Sequence, residues 1–143
     1  MAEFQTKIEA VVERLQAGDI LGGARQFVEE VAFGPGAWDQ LPSEVRETAI
    51  TNAPTFLDEQ KDPAWATVDL SVLSGFSRPT LLSEGDQSPP WFPVINQRLS
   101  QVLNNSKRHV FPGAGHVPHL THPEEFVRTV VGFLHGTEEG SRP

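Results

Sequence analysis

Apolar residues recur at helical spacing through the first half of the chain. Phe4, Ile8, Val11, Val12 and Leu15 fall at i, i+4, i+7, i+8 and i+11, the stripe of an amphipathic helix over residues 2–17. Gly18 stops that helix and Asp19 can cap the next. Ile20, Leu21, Ala24, Phe27, Val28 and Val31 carry the same period to Phe33, where Gly34-Pro35-Gly36 breaks the chain. Pro42-Ser43 opens a short helix with Val45, Ala49 and Ile50, predicted to end before Pro54. Thr55, with Asp58 three residues on, resembles a capping box for a further short helix that Pro63 ends. Asp69 caps a last turn through Leu73. Residues 1–74 therefore read as a helical layer with solvated acidic faces, in which Trp38, Phe56 and Trp65 are packing residues.

The period then changes. Pro79-Thr80-Leu81-Leu82-Ser83 is a short apolar run ending at Glu84-Gly85-Asp86, the pattern of a buried strand with a turn at its carboxyl end. Trp91, Phe92, Ile95, Leu99, Val102 and Leu103 restore a helical stripe that stops at Asn104-Asn105. Lys107-Arg108-His109-Val110-Phe111 reads as a second strand, broken by Pro112-Gly113. The loop over residues 112–122 carries His116, His119 and His122. Pro123 suits the first position of a helix whose Phe126, Val127, Val130, Val131 and Leu134 face a core. Residues 75–136 are thus a β-α-β-α unit with two parallel strands, and residues 137–143 a polar tail. The fold class is α/β, predominantly helical.

Two parallel strands make a physical demand. Parallel strands are normally covered on both faces and belong to larger sheets, and two alone are marginal. Residues 1–73 read as helix and supply no further strand. The expectation is a chain that is incomplete, or completed by another chain or by self-association through an exposed sheet edge.

Composition narrows the function classes. Nineteen acidic against eleven basic residues in 143 give a formal net charge of −8, which argues against a phosphate-backbone binder and a polybasic membrane anchor. The chain has no cysteine, so disulfides, Cys-ligated zinc, iron–sulfur clusters and a thiol nucleophile are excluded. No apolar run approaches the roughly 18 residues of a membrane span, and the first residues show no secretory pattern. A cytoplasmic protein with neither nucleic-acid nor membrane partners is the expectation.

The candidate chemistry sits where ligands gather in open α/β sheets, just past the carboxyl ends of strands. Gly85-Asp86-Gln87-Ser88 follows the first strand, and Pro112-Gly113-Ala114-Gly115-His116-Val117-Pro118-His119 the second. An aspartate and a histidine on adjacent strands can pair, the carboxylate fixing the imidazole tautomer and leaving the other nitrogen as a general base. Gly113 and Gly115 let the backbone bring His116 into a crowded site. Trp91 and Phe92, just past the first loop, are candidates for a substrate pocket, with His119 beside them; His122 suits a cap for the helix at Pro123. A metal site on His116, His119 and His122 is disfavoured because Pro118 interrupts the helix that such spacing needs. Gly113-x-Gly115 lacks the third glycine of a dinucleotide loop.

The run Pro79-Thr80-Leu81-Leu82…Gly85-Asp86, then Gly113-Ala114-Gly115-His116-Val117-Pro118…His122-Pro123-Glu124-Glu125-Phe126…Phe133-Leu134, resembles the C-terminal part of an α/β-hydrolase. The resemblance covers nearly the whole chain but only the second half of that family, with residues 1–74 standing as its helical cap. It implies hydrolysis of carboxylic esters, or of a related acyl or C–X bond, by a Ser-His-acid triad without a cofactor. His116 would be the base and Asp86 the acid. Many relatives read G-x-x-D in the acid loop, which would put the acid at residue 88; this chain has Ser88 there, and Asp58 in the cap is the alternative to Asp86. The nucleophile motif G-x-S-x-G is absent. Gly75-Phe76-Ser77-Arg78-Pro79 comes nearest but precedes a strand, and neither Ser83 nor Ser88 lies on such an elbow. The implied enzyme would act on small-molecule esters, with this chain inactive alone; the alternative is a non-enzymatic interaction module or half of a split enzyme.

Overall fold

The computed structural model describes residues 2–139 and forms two compact units that divide between Val68 and Asp69. The first unit is helical. Helix α1 (Ala2–Gln16) buries Ile8, Val11 and Leu15, the centre of its apolar stripe. Asp19 caps α2 (Ile20–Gln26), its side chain accepting from the Gly22 amide. The chain then continues through a π-helical turn, Phe27–Ala32, ending where the Phe33 amide reaches the Val28 carbonyl at 2.8 Å. Helix α3 (Ala37–Gln40) is a single turn, and α4 runs over Ser43–Glu59.

Helix α4 departs from the sequence reading. Two short helices were expected, meeting at Pro54, but one helix passes through Pro54. An interior proline removes one backbone bond and costs on the order of 3 kcal/mol. Packing outweighs that cost here. Ala53, Phe56 and Leu57 lie against the Ile8–Val11–Leu15–Val31 cluster, and Ala49, Ile50 and Ala53 against Ala24, Val28 and Trp38. Phe56 sits between Phe27 and Trp65, with ring centroids at 5.3 and 5.9 Å. Asp58 lies in the last turn of α4 rather than in the first turn of a new helix, exposed and paired with Lys61 at 2.6 Å.

In the second unit, Asp69 caps the short helix α5 (Leu70–Ser74) through the Ser71 and Val72 amides. Sequence placed the boundary after residue 74, but α5 groups with the strands. Asn104 donates to the Ser74 carbonyl and Asn105 to that of Ser77, tying this segment to the end of helix α6 (Trp91–Val102). Strands β1 (Thr80–Gly85) and β2 (Ser106–Phe111) pair in parallel, with Leu82 opposite Arg108 and Gly85 opposite Phe111. Side-chain alternation assigns each face a helix. Glu84 and Arg108 share one face with Asn96 of α6. His109 and Phe111 share the other with helix α8 (Pro123–Glu139), where the Phe126 ring lies 5.8 Å from that of Phe111.

The loop after β2 holds one short helix, α7 (Pro118–Thr121), which the sequence reading treated as loop. Helix α8 continues to Glu139, past the tail boundary expected at residue 136; residues 140–143 of that tail lie outside the described residues. Among the described residues of this unit, Trp91, Leu103, Phe111, Ala114 and Pro118 are buried. No described helix is long and apolar enough to cross a membrane.

Candidate functional site

Parallel pairing puts the carboxyl ends of β1 and β2 side by side, so the loops that follow them meet. They meet backbone to backbone. The Asp86 amide donates to the Phe111 carbonyl at 3.2 Å and the Gln87 amide to the Ala114 carbonyl at 2.9 Å. Gly85 makes this approach possible, since a Cβ there would overlap the carbonyl oxygens of Ala114 and Gly115. Gly113 turns the second loop at φ +73°, a conformation side chains rarely adopt. Its amide donates to Asp86 Oδ1 at 2.8 Å, and Gln87 Nε2 donates to the same oxygen at 3.2 Å. The Asp86 carboxylate thus clamps the start of the loop that carries His116 three residues on.

His116 is half-buried and lines a cavity of about 240 Å³ with Ser83, Glu84, Ser88, Phe92, Ile95, Asn96, Pro118, His119 and Phe126. Its ring stacks on Phe92, centroids 3.7 Å apart and planes within 15°. Burial, with the neighbouring His119, holds the imidazole below its ordinary value of 6.5, so the neutral form predominates at neutral pH. Phe92 and His119 both line the cavity, His119 edge-on to Phe126 at 5.8 Å. Trp91 does not line it; at 7 % exposed it belongs to the core. Asp86 is exposed and outside the cavity wall. The Ser88 hydroxyl lies buried in the wall with no hydrogen-bond partner among the described residues. His122 bonds Thr121 Oγ1 through Nδ1 at 2.8 Å. Among the described residues no three metal-ligating side chains gather.

Glu84 escaped the sequence reading. It stands on β1, 8 % exposed, with one carboxylate oxygen held by Arg108 of β2 and the other accepting from Asn96 Nδ2 at 3.1 Å. Asn96 Nδ2 also donates to the Ser83 carbonyl at 3.1 Å. A carboxylate leaves water at this depth only with its oxygens engaged. The sequence signal was a charge inside an apolar strand, with an opposite charge near the middle of the next.

Residues 5–129 match the alpha/beta hydrolase family. The chain belongs to that family. Its curated relatives include the pimeloyl-[acyl-carrier protein] methyl ester esterase of Photobacterium profundum, 28 % identical over 86 residues that cover 52 % of this chain and 33 % of the esterase. Among solved structures it is similar to MenH from S. aureus, with a TM-score of 0.69 and 18 % identity, over 96 % of this chain and 53 % of that one. It is also similar to the proline iminopeptidase of Mycobacterium smegmatis, with a TM-score of 0.57 and 20 % identity, over 99 % of this chain and 50 % of that one. This α/β-hydrolase chain spans about half the length of those solved relatives and a third of the curated esterase.

Proposed function

We propose that this chain supplies the base and acid of a Ser-His-Asp esterase and depends on a nucleophile it does not carry. His116 takes the proton from an attacking serine and returns it to the leaving alcohol. Asp86 orients the loop of His116 and favours its protonated form as the reaction proceeds. The single observation that supports this most is the Gly113 amide to Asp86 Oδ1 bond at 2.8 Å, which joins the two loops beside the His116 cavity. The match to the α/β-hydrolase family and the distant likeness to a methyl ester esterase favour a small-molecule carboxylic ester as substrate.

The base is matched to its task. A histidine held below 6.5 is neutral, and so able to accept a proton, at and above that pH. Activity of the completed enzyme should therefore rise through the acid range and level off below pH 6.5. The test is a fusion that places a G-x-S-x-G-bearing half of an α/β-hydrolase ahead of Phe4. Hydrolysis of p-nitrophenyl esters should appear, and should fall by about 10³-fold or more on His116→Ala and about 10²–10⁴-fold on Asp86→Asn. Full activity in His116→Ala would exclude the assignment.

A second reading, an interaction module, has its own observation. Val127, Val131 and Leu134 lie at i, i+4 and i+7 along α8 and are 57 %, 43 % and 53 % exposed. Such a stripe on a helix beside a two-stranded sheet favours a further polypeptide over solvent.

A further inference from the structure

We propose that Phe92 is a positioning residue for His116: its phenyl ring fixes the plane of the imidazole and closes one of its faces to water. The inference rests on the reading of His116 as the base, and it adds a residue that the Ser-His-Asp scheme does not contain.

The mount of Phe92 is unusually stiff. It occupies the first turn of α6, with Pro89 and Pro90 before it and Pro93 after it. Prolines there cost nothing in backbone bonding, because first-turn amides have no partner within the helix, and they fix φ at each position. The Phe92 amide is spent on the Pro89 carbonyl at 3.1 Å. Trp91, beside it in sequence, is buried and anchors the turn. The side chain that meets His116 thus projects from a backbone with little freedom to move.

The contact is close. At 3.7 Å and 15° the two rings are near carbon–carbon contact, about 3.5–4.0 Å, which leaves no space for a water between them. A stacked ring cannot rotate about its Cβ–Cγ bond without leaving the phenyl face. His116 is therefore held from both ends by one stretch of chain, from the end of β1 to the first turn of α6: Asp86 secures its loop through Gly113, and Phe92 secures its ring.

The shielded face also bears on protonation. An imidazolium loses hydration when one face is covered, while a phenyl face attracts a cation; the burial of His116 and the adjacent His119 set the balance toward the neutral ring. Glu84 of β1, which lines the same cavity, is paired with Arg108 of β2, and Asp86 at the start of the loop accepts from the Gly113 amide.

The test reads the His116 ring by NMR in the chain itself and needs no activity. In Phe92→Ala the two imidazole C–H resonances should move downfield as the ring current is lost. The titration midpoint of His116 should rise toward its ordinary value. Phe92→Tyr should restore both, and Phe92→Leu should repeat the alanine result if that variant does not fold. Unchanged C–H shifts, or a midpoint that stays or falls, in a folded Ala or Leu variant would overturn the proposal. The base assignment fails separately, through an active His116→Ala fusion, which these spectra do not depend on.

Discussion

Replacing Gly85 by alanine would put a methyl group where the carbonyl oxygens of Ala114 and Gly115 already sit. Both atoms are backbone, so relief requires moving the His116 loop or the end of β1. A destabilisation of about 1–3 kcal/mol is expected, read as a lower denaturant midpoint with little change in slope. The sequence marked His116 and Asp86 through residue types and spacing, because a histidine between small residues past a strand has few structural uses. It could not mark Gly85 or Glu84 in the same way, and it marked Phe92 only as a pocket residue, not as a partner of His116. Gly85 matters because another loop crosses it. Phe92 matters because a ring from residue 116 lies on it. Glu84 is buried only because Arg108 and Asn96 arrive from β2 and α6. Each depends on a partner far along the chain.

Elements were legible where one periodic stripe met one core. Helix α1 and the β1–α6–β2 order follow from apolar spacing alone. Pro54 is the exception that shows the limit. A proline reads as a break, yet α4 continues through it because residues on both sides pack into two clusters of the same unit. Pro54→Ala should return a backbone bond to a helix already held by its contacts. Thermal unfolding should show a higher midpoint, by up to about 3 kcal/mol in stability. A lower midpoint would show that the proline's own packing matters more. The short helix α7 was missed for a related reason: Pro118 breaks a long helix but opens a single turn well, as its place at the first position shows.

At the scale of the molecule, the −8 charge argues against a phosphate-backbone partner and the lack of cysteine in these 143 residues removes thiol chemistry from them, without choosing a reaction. The choice comes from two loops and from how much of a hydrolase the chain covers. It aligns over 96 % of itself with 53 % of the S. aureus MenH chain. The described part of that half holds two paired strands and an exposed apolar stripe on α8. Sedimentation velocity of the chain alone should therefore show mass rising with concentration, and Val131→Lys should reduce it. A monomer at every concentration would count against α8 as a docking face.

The most direct measurement is hydrolysis of p-nitrophenyl esters by the purified chain beside its His116→Ala variant. On the proposal that this chain carries the base and the acid but not the nucleophile, both should match the buffer rate. Turnover by the unaltered chain that disappears in His116→Ala would contradict the central claim, since it would place a complete catalytic site within these 143 residues.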